Sequence, residues 1–321
     1  MPARKRKKTS SRWKSYSWLL LNTVVWGAAF IAVKPALSVT TPTRYLLYRY
    51  ILASLISLPI IWHYLSKIKE KKIKINKILL PLIGIELLGT TLVLWLIYTG
   101  LARTTAIEAN LLTLSSPIFV TLGGILFFKE KEEKHEWLGL FIALFGTALL
   151  VLVPVILNGG IMPSGISLTG NILILAAMLI NAAYYLLAKQ YYKNYPKFLI
   201  TTLSFYVGLI SFSLLALYES CIDASLCISS LVQNMQTDLS HPSVWIAAGY
   251  MATFGSIIGL TAYYKGQNDI EASEASLFTY LQPIVAMPLG IILLNEKVYS
   301  LQLLALALII FGVVIAERRK K

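Results

Sequence analysis

Two ionisable side chains stand inside long apolar runs, and chemistry is most readily expected there. Glu86 lies between Ile85 and Leu87 in the run 78–98, roughly 12 Å along a helix that rises ~1.5 Å per residue. Arg49 lies within the run 43–62. A charge at membrane depth costs roughly 2.5–3.5 kcal/mol on insertion scales, so each needs a physical reason. For Glu86 the functional reading is a site for a proton or a cationic group. The structural reading is a packing carboxyl bonded to a neighbouring helix and protonated at rest. Arg49 can hold an anionic group such as a carboxylate bidentately, or serve as a structural or snorkelling arginine.

Aromatic and amide side chains supply the other pocket candidates. Trp26 and Phe30 are one turn apart in the first apolar run, and Tyr184 and Tyr185 occupy the related place in the sixth. Asn110, Tyr280 and Gln282 lie well inside later runs, the last two just before Pro283, where a proline frees backbone carbonyls. Tyr98 and Tyr263 stand at run ends, the usual place of an interfacial belt. Trp26, Phe30, Arg49, Glu86, Asn110, Tyr184, Tyr185, Tyr280 and Gln282 are therefore the candidate substrate-binding set. An amphipathic site of this kind suits amino acids or small amphiphiles, with proton coupling through Glu86 as an open possibility.

Other polar residues read as structural. Lys34 and Lys189 close the first and sixth runs, where end-of-helix anchoring competes with a role in gating or drawing in anions. Glu108 and Glu274 stand near the start of a run, where a carboxylate complements the helix dipole. Glu130-Lys131 and Glu296-Lys297 mark the far ends of the same runs. Three histidines (His63, His135, His241) fall between runs, and there is neither a nucleophile–base pair nor a pair of acids on one face. Catalytic and metal sites are accordingly not expected, nor is a cofactor. Cys221 and Cys227 are too few for a disulfide framework or a zinc site. They share one connecting segment, so a single disulfide and two free thiols both remain open.

The elements that must position these residues are helices in a bilayer. The 321 residues are 57% hydrophobic and 14% charged, with mean hydropathy +0.68, which excludes an ordinary soluble domain. Runs long enough to cross about 30 Å of hydrocarbon fall near 17–36, 43–62, 78–98, 104–128, 136–157, 168–188, 198–218, 243–264, 272–294 and 299–316. They are too long and too uniformly apolar for strands of a closed barrel. The first run follows a basic segment but lacks a small-x-small cleavage site, so it is expected to remain as a helix. A net charge of +14 would suit nucleic acid, but the lysines and arginines crowd beside the runs, in 1–16, 63–77 and 317–321. Such clusters retain a segment in the cytoplasm. With both termini inside, the inner segments hold 24 of the 29 basic residues.

A duplication organises the whole. Stretch 98–150 slides onto 264–316 with a constant offset of 166 and no gap, giving 17 identities in 53 positions. Tyr98 meets Tyr264, Glu108-Ala109 meets Glu274-Ala275, Pro117-Ile118 meets Pro283-Ile284, and Phe145-Gly146 meets Phe311-Gly312. Trp26-Gly27-Ala28-Ala29-Phe30 with Lys34 resembles Asn181-Ala182-Ala183-Tyr184-Tyr185 with Lys189 at an offset of 155. Five crossings per unit is odd, so the second copy enters the membrane upside down. The basic segment 63–77 and its acidic counterpart 219–242 agree. The expectation is an all-α integral membrane protein, ten transmembrane helices as an inverted 5+5 repeat. Its segments are tail 1–16, first unit 17–157, second unit 168–316 and tail 317–321. Such symmetry serves a site that opens alternately to either side.

The chain resembles EamA-type members of the drug/metabolite transporter superfamily. The resemblance rests on Trp26-Gly27-x-x-Phe30-x-x-x-Lys34, Arg49 in the second helix, and the endings Pro117 to Glu130 and Pro283 to Glu296 followed by Gly146 and Gly312. It covers about 17–316. Leu303 and Ala305 stand where the first copy has Trp137 and Gly139, and Asn181 stands for Trp26. The resemblance implies a secondary carrier of small metabolites in the inner membrane, often an amino-acid exporter, surrounded by lipid and working without ATP. A channel and a membrane enzyme are the alternatives.

Overall fold

The computed structural model describes residues 3–70, 79–128, 134–157, 165–192, 197–223, 227–266 and 278–316, and among the described residues there is no strand. Among the described residues, seven helical paths are long and apolar enough to cross a membrane: Arg12–Ser38, Leu80–Arg103, Ala106–Phe127, Lys134–Leu152, Leu168–Ala188, Ile200–Ile222 and Pro242–Tyr263. Two shorter apolar ones follow, Phe278–Leu294 and Ser300–Ala316. A further helix, Pro42–Glu70, is 29 residues long and carries Arg49. The first helix starts at Ala3, inside the basic segment, because lysine and arginine are good helix formers.

Several paths are interrupted where a side chain must be aimed. Leu87–Val93 and Met251–Ile258 are π-helical. Moving the first by 166 residues gives 253–259, almost the second. The helix Ala106–Thr113 stops before Pro117, and Phe278–Leu281 is a 3-10 turn before Pro283. Both interruptions have one cause: proline lacks the N–H for the bond to the carbonyl four residues back and its ring crowds that carbonyl, so Pro117 and Pro283 each sit in the first turn of a new helix.

The tightest packing joins Lys134–Leu157 to Ser300–Ala316. A Cβ on Gly139 would strike the carbonyl of Gly312 and the amide of Ala316, and one on Gly312 would strike the carbonyl of Gly139. Gly146 faces the carbonyl of Ala305 at 3.0 Å in the same sense. The two helices therefore run antiparallel, backbone against backbone. Under the offset of 166, the pair Gly139·Gly312 becomes Ala305·Gly146, so the two contacts exchange. A second pairing sets Pro42–Glu70 against Lys197–Asp223: Tyr50 fills the space over Gly208 and stacks on Phe212 with ring centroids 5.5 Å apart.

Segment 219–242, expected to be a connecting loop, contains the 13-residue helix Cys227–Leu239. At about 20 Å it is too short to cross the bilayer. Its Asp238 is 2% exposed and accepts hydrogen bonds from Thr40, Tyr48 and the Arg44 guanidinium, the last an ion pair at 2.7 Å. Glu219 accepts from Thr43 and Thr41. The acidic character read as topology is thus also used to tie this segment to the start of the Pro42–Glu70 helix. Of the two cysteine states left open, the disulfide Cys221–Cys227 is the one formed. His63 and His135 lie within helices rather than between them.

Gly312→Val places a side chain against backbone that cannot yield and is expected to cost at least about 1–3 kcal/mol, as overpacking does. A clear drop in the melting temperature of the detergent-solubilised protein checks this. Gly84→Val, with nothing within 4 Å of its new Cβ, is expected to leave it unchanged.

Candidate functional site

Arg49 sits at the centre of a ring of hydroxyls. Its Nη1 donates to the Tyr98 phenol at 3.2 Å and its Nη2 to the Ser256 hydroxyl at 3.3 Å. The face of Tyr50 lies 5.6 Å from the guanidinium carbon. Ser256 donates in turn to the carbonyl of Met251 at 2.9 Å, a bond five residues back that only the π-helical segment permits. Phe30 meets Tyr98 edge to face at 6.4 Å. The Trp26 indole N–H donates to the carbonyl of Gly255 at 3.1 Å, and its ring stacks on Tyr263. Tyr98, expected in an interfacial belt, is instead 2% exposed, because the Arg49 guanidinium and the rings of Phe30 and Tyr45 enclose it.

Glu86 forms a second polar pole. It is fully buried, at the end of Leu79–Glu86 where the other π-helical segment begins. It accepts hydrogen bonds from the Thr90 hydroxyl at 2.6 Å and from the Tyr192 phenol. Tyr192 lies edge-on to Tyr184, which covers Gly89. Tyr50 stands between the poles, beside Thr90 and within the field of both Arg49 and Glu86. Thr90 and Ser256 are related by the offset of 166, so the two π-helical segments present matching hydroxyls, one beside an acid and one beside a base.

The remaining candidates stand outside these contacts. Asn110 is buried with its Oδ1 unpaired, and Gln282 is buried with its Nε2 unpaired among the described residues. The backbone of Gln282 packs against Gly27. Tyr280 is 3% exposed, whereas Tyr185, its ring 5.6 Å from that of Tyr184, is half exposed. Thr90, Ser256, Tyr50 and Tyr192 were not singled out by sequence. A signal for two of them existed: Thr90 and Ser256 align at the repeat offset eight residues upstream of the duplicated stretch.

Lys34 and Glu296 clamp one interhelical turn, from 101 to 107. The Lys34 ammonium donates to the carbonyls of Leu101 at 2.7 Å, Ala102 at 3.2 Å and Thr104 at 2.6 Å. The Glu296 carboxylate accepts from the amides of Ala106 at 2.7 Å and Ile107 at 2.9 Å. A cation on the C-terminal carbonyls of one helix and an anion on the N-terminal amides of the next match the helix dipoles. This is the anchoring reading of Lys34. Asn295, just before the glutamate, turns the chain with φ 53°. Glu108 does not serve its own helix end, since Thr105 caps it. The Glu108 carboxylate is instead 1% exposed and accepts from Asn171 at 2.9 Å and Gln302 at 2.6 Å. Glu130, Lys131 and Glu274 and the side chains of Lys189 and Tyr264 lie outside the described residues.

Known proteins resemble this chain over nearly its full length. The model of the EamA-like transporter family matches residues 13–152 and again 168–317. The uncharacterized transporter YyaM of Bacillus subtilis (strain 168) is 26% identical over 306 residues, 94% of this chain and 93% of that protein. The uncharacterized inner membrane transporter YedA of Escherichia coli (strain K12) is 26% identical over 92% of this chain and 88% of its own length. A solved crystal structure shares the fold with TM-score 0.59 at 16% identity over 96% of both chains.

Glu296→Ala removes both carboxylate bonds to the turn and is expected to cost about 0.5–2 kcal/mol, the range for a lost N-terminal cap. Thermal melting in detergent measures it. Glu296→Gln keeps an acceptor and is expected to lose less.

Proposed function

From the premise that the chain belongs to the EamA-like transporter family and is a multi-pass membrane transporter, we propose that it is a secondary active carrier. It exports small organic metabolites such as amino acids by alternating access. The architecture in this reading is an inverted pair of five-helix units, 17–157 and 168–316, in the cell's inner membrane with both termini in the cytoplasm. The observation that carries it is the antiparallel contact in which Gly139·Gly312 and Gly146·Ala305 exchange under the repeat offset. Contacts of that kind arise when two like units meet about an axis lying in the membrane plane. Such units can swap conformations, so a site between them faces each side in turn.

Other features support the same reading. Repeat-related π-helical segments line up the hydroxyls of Thr90 and Ser256 between the poles at Glu86 and Arg49. Mid-helix π segments of this kind recur at functional positions. The clamp formed by Lys34 of the first unit and Glu296 of the second ties the turn from 101 to 107 to both units. Glu86, bonded to two hydroxyls, is the candidate for proton coupling.

Two outcomes test the reading. Cysteines placed in 63–77 and in 219–242 are expected to react with an impermeant thiol reagent from opposite sides of the membrane. Labelling of both from one side overturns the inverted arrangement. In proteoliposomes a panel of amino acids and nucleoside-type metabolites is expected to give saturable flux with counterflow. A conductance without counterflow identifies a channel, and product formation an enzyme. If flux rises with a pH gradient, Glu86→Gln is expected to flatten that dependence, and an unchanged profile removes Glu86 from coupling.

A further inference from the structure

Arg49 is a cation at membrane depth whose charge is met by no carboxylate among the described residues. Its acceptors are the neutral oxygens of Tyr98 and Ser256 at 3.2 and 3.3 Å. Charge-assisted bonds to a carboxylate run nearer ~2.7–2.9 Å. Its Nε–H is buried and has no acceptor among the described residues. Arg44, one turn and a half earlier on the same helix, shows the contrast, since its Nε is paired with Asp238 at 2.7 Å. The ammonium of Lys34 is likewise filled, by three carbonyls.

Arginine does not escape this situation by losing its proton. Nor is Arg49 drawn to an interface: its guanidinium is held between a hydroxyl of the first repeat and one of the second. The residue as a whole is only partly buried although its Nε is covered in this conformation, so in the carrier reading an anion reaches what the protein leaves unpaired when the two repeats move against one another. The walls around it are aromatic. The Tyr50 ring lies over the guanidinium, Phe30 and Tyr45 pack on Tyr98, and Trp26 is bonded to the residue next to Ser256.

We infer that Arg49 is the subsite for an anionic group of the transported molecule, a carboxylate, whose apolar part rests against Phe30, Tyr50 and Tyr98. This rests on the carrier reading above and narrows its substrates to carboxylates with an apolar or aromatic body. Tyr98 and Ser256 act here as a neutral cradle. They fix the fork of the arginine across the two repeats without cancelling its charge, and the substrate supplies the counter-ion. Because Ser256 lies on the second π-helical segment, movement of one repeat against the other changes how the guanidinium is held, and with it the grip on the anion.

The test uses the full chain in detergent and matched probes: leucine with leucinamide, phenylalanine with phenylalaninamide, and N-acetylphenylalanine as an anion without an ammonium group. Wild-type protein is expected to be stabilised against heat, saturably, by a carboxylate and not by its amide. Arg49→Gln is expected to raise the half-saturating concentration roughly 100-fold, and Arg49→Lys, which keeps the charge but not the fork, less, roughly 10-fold. Equal stabilisation by acid and amide, or no carboxylate-selective stabilisation by any probe, overturns the assignment. So does an Arg49→Gln protein that saturates like wild type. The wild-type comparison stands even if the variants fold poorly. Selective carboxylate binding without counterflow in proteoliposomes would instead leave the subsite in place and sink the carrier reading.

Discussion

In hydrocarbon a polar group has no water to fall back on, and this one constraint governs how the chain is built. Every exposed backbone amide or carbonyl must find a partner within the protein, at a cost of several kcal/mol if it does not. The turn from 101 to 107 shows the solution. A helix ends, the next begins, and their free carbonyls and amides are taken up by Lys34 and Glu296 from distant parts of the sequence. Glu108 is treated in the same way, enclosed by Asn171 and Gln302. Even two of the three acids of segment 219–242, Glu219 and Asp238, are spent on Thr40, Thr43 and Arg44.

Among the described residues a few buried polar atoms stay unpaired: the hydroxyls of Ser15, Tyr45, Thr91 and Thr99, and the larger polar groups of Arg49, Asn110 and Gln282. Arg49, Asn110 and Gln282 were candidates from residue type and position inside an apolar run. Symmetry adds to this, because the scaffold repeats while the site does not. Glu86 has Ala252 as its equivalent, whereas Thr90 has Ser256. The duplicated frame thus offers the same hydroxyl twice and surrounds it with opposite charges. A site of that design has polarity across it, although its supports are nearly alike.

How much of this was legible differs from residue to residue. Glu86 and Arg49 stood out because a charge inside an apolar run is conspicuous in any reading. Gly139, Gly146 and Gly312 were visible as repeat positions, but that they pair crosswise was not, since spacing says nothing about which helix faces which. Tyr98 was misplaced because its position at the end of a run resembles that of an interfacial tyrosine. The helix Cys227–Leu239 was missed because its mixed polar pattern falls between two strong apolar signals. Tyr192 carries no signature of its own, and its importance comes only from what it touches, whereas Thr90 shows in the sequence only through its alignment with Ser256.

The sequence by itself determined the material: a helical membrane chain, built from one unit written twice, with an acid and a base placed where lipid would not tolerate them alone. Hydropathy and identity at a fixed offset suffice for that, being sums and matches along one dimension. Only the tertiary structure decided the company these groups keep. It set Arg49 among neutral hydroxyls and Arg44 on a carboxylate, although the two lie on one helix five residues apart. The reason is physical: whether a charge is neutralised depends on atoms within about 4 Å, and those atoms come from helices far away in the chain.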